Sequence, residues 1–300
     1  MGGNCIRDSQ RMTRAKYEEL CDLLVEAEPT MKITRSFSEK ETYGDIDCIL
    51  RYNSMCFPGE VVESHKNGAV TSIGLKVNGV IRQVDYFLTG SLHKQEHLQA
   101  YLSYGIFGMC VGICVNKLGL EYGMDGLKVM FRGKELDTSI LLSQSCGAIF
   151  AFLQLDYYRF TNGFINVNEL FEYLFTSPYI SYTALMKKVD KLERLAPLKY
   201  YPPPPTKEKL VAEDVVKNAL SFFGKQKDYD KVIVAYEKKA MMAAKFNGNI
   251  VMELTSLVGS DLGKFISEFR RVHNIASMTP EDIHEAILIK YGVENIKASL

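Results

Sequence analysis

Three hundred residues, 47% hydrophobic and 24% charged, make an ordinary folded protein with chain enough for one large domain or two to three small ones. Lysine plus arginine equals aspartate plus glutamate at 36 each, which excludes a disordered polyelectrolyte and counts against tight binding to nucleic acid through bulk charge. The seven cysteines (Cys5, Cys21, Cys48, Cys56, Cys110, Cys114, Cys146) show neither C-x-x-C spacing nor a disulfide framework, and with no secretory signal the expected compartment is reducing and intracellular, cytoplasmic or nuclear.

The first predicted element is a helix over residues 12–27, where Tyr17, Leu20, Leu23, Leu24 and Ala27 share one face. A turn carrying Ser36 and Phe37 follows, then Gly44 and the run Asp45-Ile46-Asp47-Cys48-Ile49-Leu50. As a strand, this run projects Asp45 and Asp47 from one face, with Cα atoms roughly 7 Å apart at about 3.3 Å per residue. Carboxylates so placed can converge on a pair of hard cations. Residues 69–77 and 80–88 form a predicted hairpin around Asn78-Gly79, because both central residues of a type I′ turn need positive φ. Asp85 lies near the end of its second strand, between Val84 and Tyr86, where a lone carboxylate is costly unless paired or bound.

Helical patterning returns at 92–118. Its most apolar part, 104–115, is too short to span a bilayer and is expected to be buried, so no membrane role follows. His93 and His97 are spaced i, i+4 but lack a third ligand for zinc. Residues 140–198 are mostly helical in pattern, and 187–199 hold a basic stretch that is the best candidate for a local nucleic-acid patch, though its simpler reading is a solvated helix face. Pro202–Pro205 form a stiff segment, after which helical patterning resumes. Gly259 and Gly263 open one late helix, and Thr279-Pro280 caps another.

The ordered set of Ser36, Gly44-Asp45-Ile46-Asp47, Asp85, Thr89-Gly90-Ser91, Leu118-Gly119-Leu120-Glu121-Tyr122-Gly123 and the segment 148–159 resembles the nucleotidyltransferase superfamily, most closely the family X DNA polymerases. The resemblance covers about residues 12–160. It implies an α+β fold, with a palm of small mixed sheet and helices over 12–125 and a thumb-like subdomain over 126–200. A Pro-rich linker at 201–206 and a helical C-terminal module over 207–300 complete the expected organisation.

The implied reaction moves a nucleoside monophosphate from a nucleoside triphosphate to the 3′-hydroxyl of DNA or RNA, releasing pyrophosphate, as in DNA repair. The resemblance assigns Asp45, Asp47 and Asp85 to two Mg²⁺ ions (Mn²⁺ as substitute) and to catalysis, and Ser36 and Gly44 to the nucleotide. The chain departs from the pattern at Arg35, where a glycine is expected, and at Glu39, where a basic residue is expected. The interval from Ser36 to Asp45 is short, the sugar-screening loop after Asp85 is reduced, and the family's N-terminal lyase region has no counterpart. A template-independent terminal transferase, and an inactive palm kept as a binding scaffold, therefore stand as alternatives.

Overall fold

The computed structural model describes residues 5–52, 57–133, 136–207 and 209–299; Cys56 lies outside them. The protein is mixed α+β and divides into two compact units, 1–131 with 138–225 and 132–137 with 226–300.

The first unit opens with β1 (Met12–Thr13), α1 (Arg14–Ala27), β2 (Lys32–Ile33), β3 (Thr42–Tyr43) and β4 (Asp45–Leu50). Three long strands follow, β5 (Glu60–Asn67), β6 (Val70–Val77) and β7 (Val80–Leu88). A five-stranded sheet has the order β2-β4-β7-β6-β5, in which only the β4–β7 pair is parallel. The β6–β7 hairpin turns on Asn78 (φ 51°) and Gly79 (φ 79°), with Val77 opposite Val80 as the Asn-Gly pair predicts. Strand β5 was not anticipated, because its sequence is polar and exposed along nearly its whole length.

Alternation along β4 sorts its side chains into two layers. Ile46, Cys48 and Leu50 join Leu20 and Leu24 of α1, Ile73, Leu75 and Val84 in the main core. Leu24 is wholly buried, which contributes about 2 kcal/mol by apolar transfer. On the opposite face, Ile49 and Phe87 are covered by Leu98.

That cover comes from α2 (Leu92–Leu102), which is followed by α3 (Phe107–Asn116). The helical patterning over 92–118 resolves into these two helices, separated where Tyr104 (φ 60°) and Gly105 (φ 69°) take left-handed backbone, and the two axes meet at 95°. Gly108 lets α3 pass close to α2: an added Cβ there would lie 2.4 Å from the Tyr101 carbonyl oxygen. Among the described residues no single helix is long and apolar enough to cross a membrane; α2 and α3 meet that measure only taken together across their bend.

A three-stranded sheet comes next, β8 (Leu120–Gly123), β9 (Gly126–Gly133) and β10 (Leu136–Ser143), so the helical expectation from 140 begins six residues before the next helix, at Cys146. Then come short helices, α4 (Cys146–Phe152), α5 (Tyr157–Thr161), α6 (Val167–Leu174) and α7 (Tyr182–Met186), and a 3₁₀ segment, Glu193–Tyr200. Rings fill their core: Phe160 lies 4.7 Å from Phe107 and 5.0 Å from Phe150. The proline run belongs to this unit, as does α8 (Ala212–Phe222), where Phe222 and Phe223 pack against Phe152.

The helices of the second unit are α9 (Gln226–Lys245), α10 (Gly248–Thr255), α11 (Gly259–Val272) and α12 (Pro280–Ser299). Its core gathers Phe246, Val251, Phe265, Phe269, Ile275, Ile283 and Ile287. Thr279 caps α12 reciprocally: its hydroxyl accepts from the Asp282 N–H and its own N–H donates to the Asp282 carboxylate, both at 3.1 Å.

Candidate functional site

Parallel pairing of β4 with β7 sets Asp47 beside Asp85 and Asp45 beside Gln83. Strand alternation then puts all three carboxylates on one face of the sheet, neighbouring strands being about 4.8 Å apart. Two residues further on, the same face turns apolar at Ile49 and Phe87, under α2. The carboxylates thus sit where the helical cover stops.

Asp45 and Asp47 line a cleft of about 720 Å³ together with Ser36, Arg35, Lys40 and Arg194. Asp85 and Gly44, the latter buried between β3 and β4, lie outside its lining. Asp85 is held instead by Gln83, whose side-chain N–H donates to the carboxylate at 2.9 Å. The Gln83 carbonyl in turn accepts from the N–H groups of Cys5 (3.0 Å) and Ile6 (3.3 Å), so the buried amide cannot turn freely.

The Ser36 loop is fixed from two sides. The Arg14 guanidinium on α1 donates to the carbonyls of Phe37 (3.0 Å) and Lys40 (2.8 Å). The N–H groups of Ser38 and Glu39 donate to the carbonyls of Phe164 and Ile165, both at 3.1 Å. The Ser36 hydroxyl lies 3.1 Å from the Tyr43 hydroxyl, and the Tyr43 ring stacks on Tyr17 at 3.8 Å. Arg35 is committed elsewhere, its guanidinium donating to the Thr161 carbonyl at 2.8 Å. Arg194 donates to the Gly105 carbonyl at 3.0 Å from the 3₁₀ segment.

Burial, with the charges of Asp45 and Asp85 added, pushes the Asp47 carboxyl up to about 7, while Lys40 and Arg194 oppose the rise. The Lys40 ammonium stands 4.4 Å from the centre of the Tyr43 ring; burial lowers its pKa, and the nearby charges of Asp45 and Asp47 act against that lowering. The sign of the field is therefore negative at the sheet and positive at the loop.

Among the described residues, no three His, Cys, Asp or Glu side chains are drawn together closely enough to hold a metal ion as they stand. The donor chemistry of Asp45, Asp47 and Asp85 nevertheless fits a hard divalent cation. All three are oxygen ligands, and their mutual repulsion, visible at Asp47, is what such an ion relieves. His97 does not join His93 at the surface; it is buried, with its Nε2 2.6 Å from the Gly123 carbonyl oxygen.

Sequence reasoning missed Lys40, Gln83 and Tyr43, and named Arg194 only as part of the basic stretch 187–199. Gln83 could have been found, since it precedes Asp85 by two in a strand and so must share its face. Lys40 stands one position beyond Glu39, where a cation was sought, and the turn brings it inward. Compared with protein-family models and with curated proteins, the chain matches none.

Proposed function

We propose that the protein is a nucleotidyltransferase resembling the family X DNA polymerases, transferring a nucleoside monophosphate from a nucleoside triphosphate to a nucleic-acid 3′-hydroxyl. The observation that carries this reading is the single-face register of Asp45, Asp47 and Asp85, the first two of which line a cleft that also presents Ser36 and Lys40. The three aspartates would hold two Mg²⁺ ions, or Mn²⁺, which when bound supply charge neutralisation at the triphosphate and a lowered pKa at the attacking hydroxyl. The chain's own part is positioning. Ser36, braced by Tyr43, donates to a phosphate oxygen, and Lys40 and Arg194 neutralise the pyrophosphate that leaves. Lys40 takes the role left open by Glu39. Gln83 keeps Asp85 aimed.

The template-independent terminal transferase stands beside this reading as its alternative. The bridges from Ser38 and Glu39 to Phe164 and Ile165 join the serine loop to the helical part of the unit. The cleft of about 720 Å³ falls within the ordinary range of small-ligand pockets. An inert scaffold makes the opposite prediction for binding. The test is extension of labelled DNA and RNA primers, with and without template, in Mg²⁺ or Mn²⁺, with Asp45→Ala/Asp47→Ala as control. Incorporation lost in the control supports transfer. No incorporation and no metal-dependent triphosphate binding would refute it.

A further inference from the structure

We infer that the surface formed by residues 187–200 is the track along which a single-stranded nucleic-acid acceptor approaches the cleft; the assignment rests on the nucleotidyl-transfer reading above. In these fourteen residues Lys187, Lys188, Lys191, Arg194 and Lys199 stand against only Asp190 and Glu193, within a chain of zero net charge. All five cations are exposed. Asp190 is already engaged by Lys199 at 2.8 Å, and among the described residues Lys187, Lys188 and Lys191 have no carboxylate partner. The charge they present is thus uncompensated locally.

The segment is held rigidly beneath that charge. Val189, Leu195 and Leu198 are buried, and Tyr201 packs inward on Phe171 and Phe175 at 5.7 and 5.6 Å. Its neighbour Tyr200 is consequently turned out, with 89% of its surface exposed. Cations carried on a packed segment that also presents an unpacked aromatic ring suit a single strand, whose phosphates need the charge and whose unpaired bases can stack on the ring. A duplex keeps its bases from such a ring. Continuity with the site is direct, because Arg194 and Pro197 of this segment line the cleft that holds Asp45 and Asp47.

The test is fluorescence polarisation of the full chain with labelled single-stranded RNA and DNA, and with the matching duplexes, in the absence of triphosphate. Lys187→Gln/Lys188→Gln/Lys191→Gln should weaken single-strand binding about tenfold or more, and reduce the slope of log affinity against log salt by about 2 for three phosphate contacts. Tyr200→Ala should weaken it by about tenfold through lost stacking. Both variants should keep the wild-type melting temperature and metal-dependent triphosphate binding. Unchanged single-strand affinity in both, absence of binding by the wild type, or tighter binding of the matching duplexes would overturn the assignment. If oligonucleotide binding depends on the track but the wild type incorporates no nucleotide, the transfer reading fails and the surface stands. Incorporation into primers unaffected by either variant would leave the reading and remove the track.

Discussion

Asp47→Asn tests the electrostatics of the carboxylate face without reference to any substrate. The wild-type carboxyl titrates at about 7 in the folded protein against an ordinary value of 3.8. A folded pKa above the unfolded one means that the ionised group costs folding free energy at pH above about 7. The cost shrinks as pH falls through 7 and vanishes below about 4, where both states carry the proton. The full difference corresponds to at most about 4 kcal/mol. With about 2 to 4 °C per kcal/mol in a unit of this size, the variant should melt above the metal-free wild type at pH 8, by at most about 8–16 °C. The gap should narrow steadily on acidification and close near pH 4. Millimolar Mg²⁺ should raise the wild type and leave Asp47→Asn nearly unmoved. Differential scanning fluorimetry across pH 4–8 reads all of this. A gap that does not change with pH, or a variant less stable than wild type at pH 8, would refute the argument.

His97 should act in the opposite sense. Burial lowers its pKa, so below about 6.5 the unfolded chain takes up a proton that the fold refuses, and stability is lost as pH falls through that region. His97→Gln should flatten that loss while costing about 1 kcal/mol at pH 8, read by urea denaturation at each pH. Gln83→Leu removes the brace on Asp85 and strands the N–H groups of Cys5 and Ile6. It should lower stability by about 2 kcal/mol and reduce kcat for nucleotide incorporation more than it raises KM. Gly108→Ala should destabilise the first unit by about 1–3 kcal/mol, because the new methyl meets the Tyr101 carbonyl oxygen, and chemical denaturation would show it. Tyr43→Phe should leave the fold within about 1 kcal/mol of wild type and raise KM for the triphosphate, since only the contact to the Ser36 hydroxyl is lost.

What was legible in the sequence was whatever depends on local chemistry. Asn78-Gly79 announced its hairpin because the turn needs positive φ, and the alternation from Asp45 to Leu50 separated its two faces correctly. Pairing was not legible. Nothing local tells that β4 lies parallel to β7 with Asp47 opposite Asp85, and that register is what assembles the carboxylate face. The bend between α2 and α3 was hidden because Tyr104 takes left-handed backbone that its residue type disfavours, held there by a 2.7 Å hydrogen bond from its N–H to the Arg35 carbonyl. Arg194 reaches the cleft from nearly 150 positions beyond Asp45, a distance that only the tertiary fold spans. β5 went unread because an exposed edge strand carries charge where a buried one carries the usual β-formers.

The central claim is that Asp45, Asp47 and Asp85 form one cation-dependent triphosphate site. Isothermal titration of the wild type with a non-hydrolysable nucleoside triphosphate, with and without Mg²⁺, tests it most directly. The account predicts binding that requires the ion and that disappears in Asp45→Ala/Asp47→Ala. Triphosphate binding indifferent to Mg²⁺, or retained in that double variant, would contradict it.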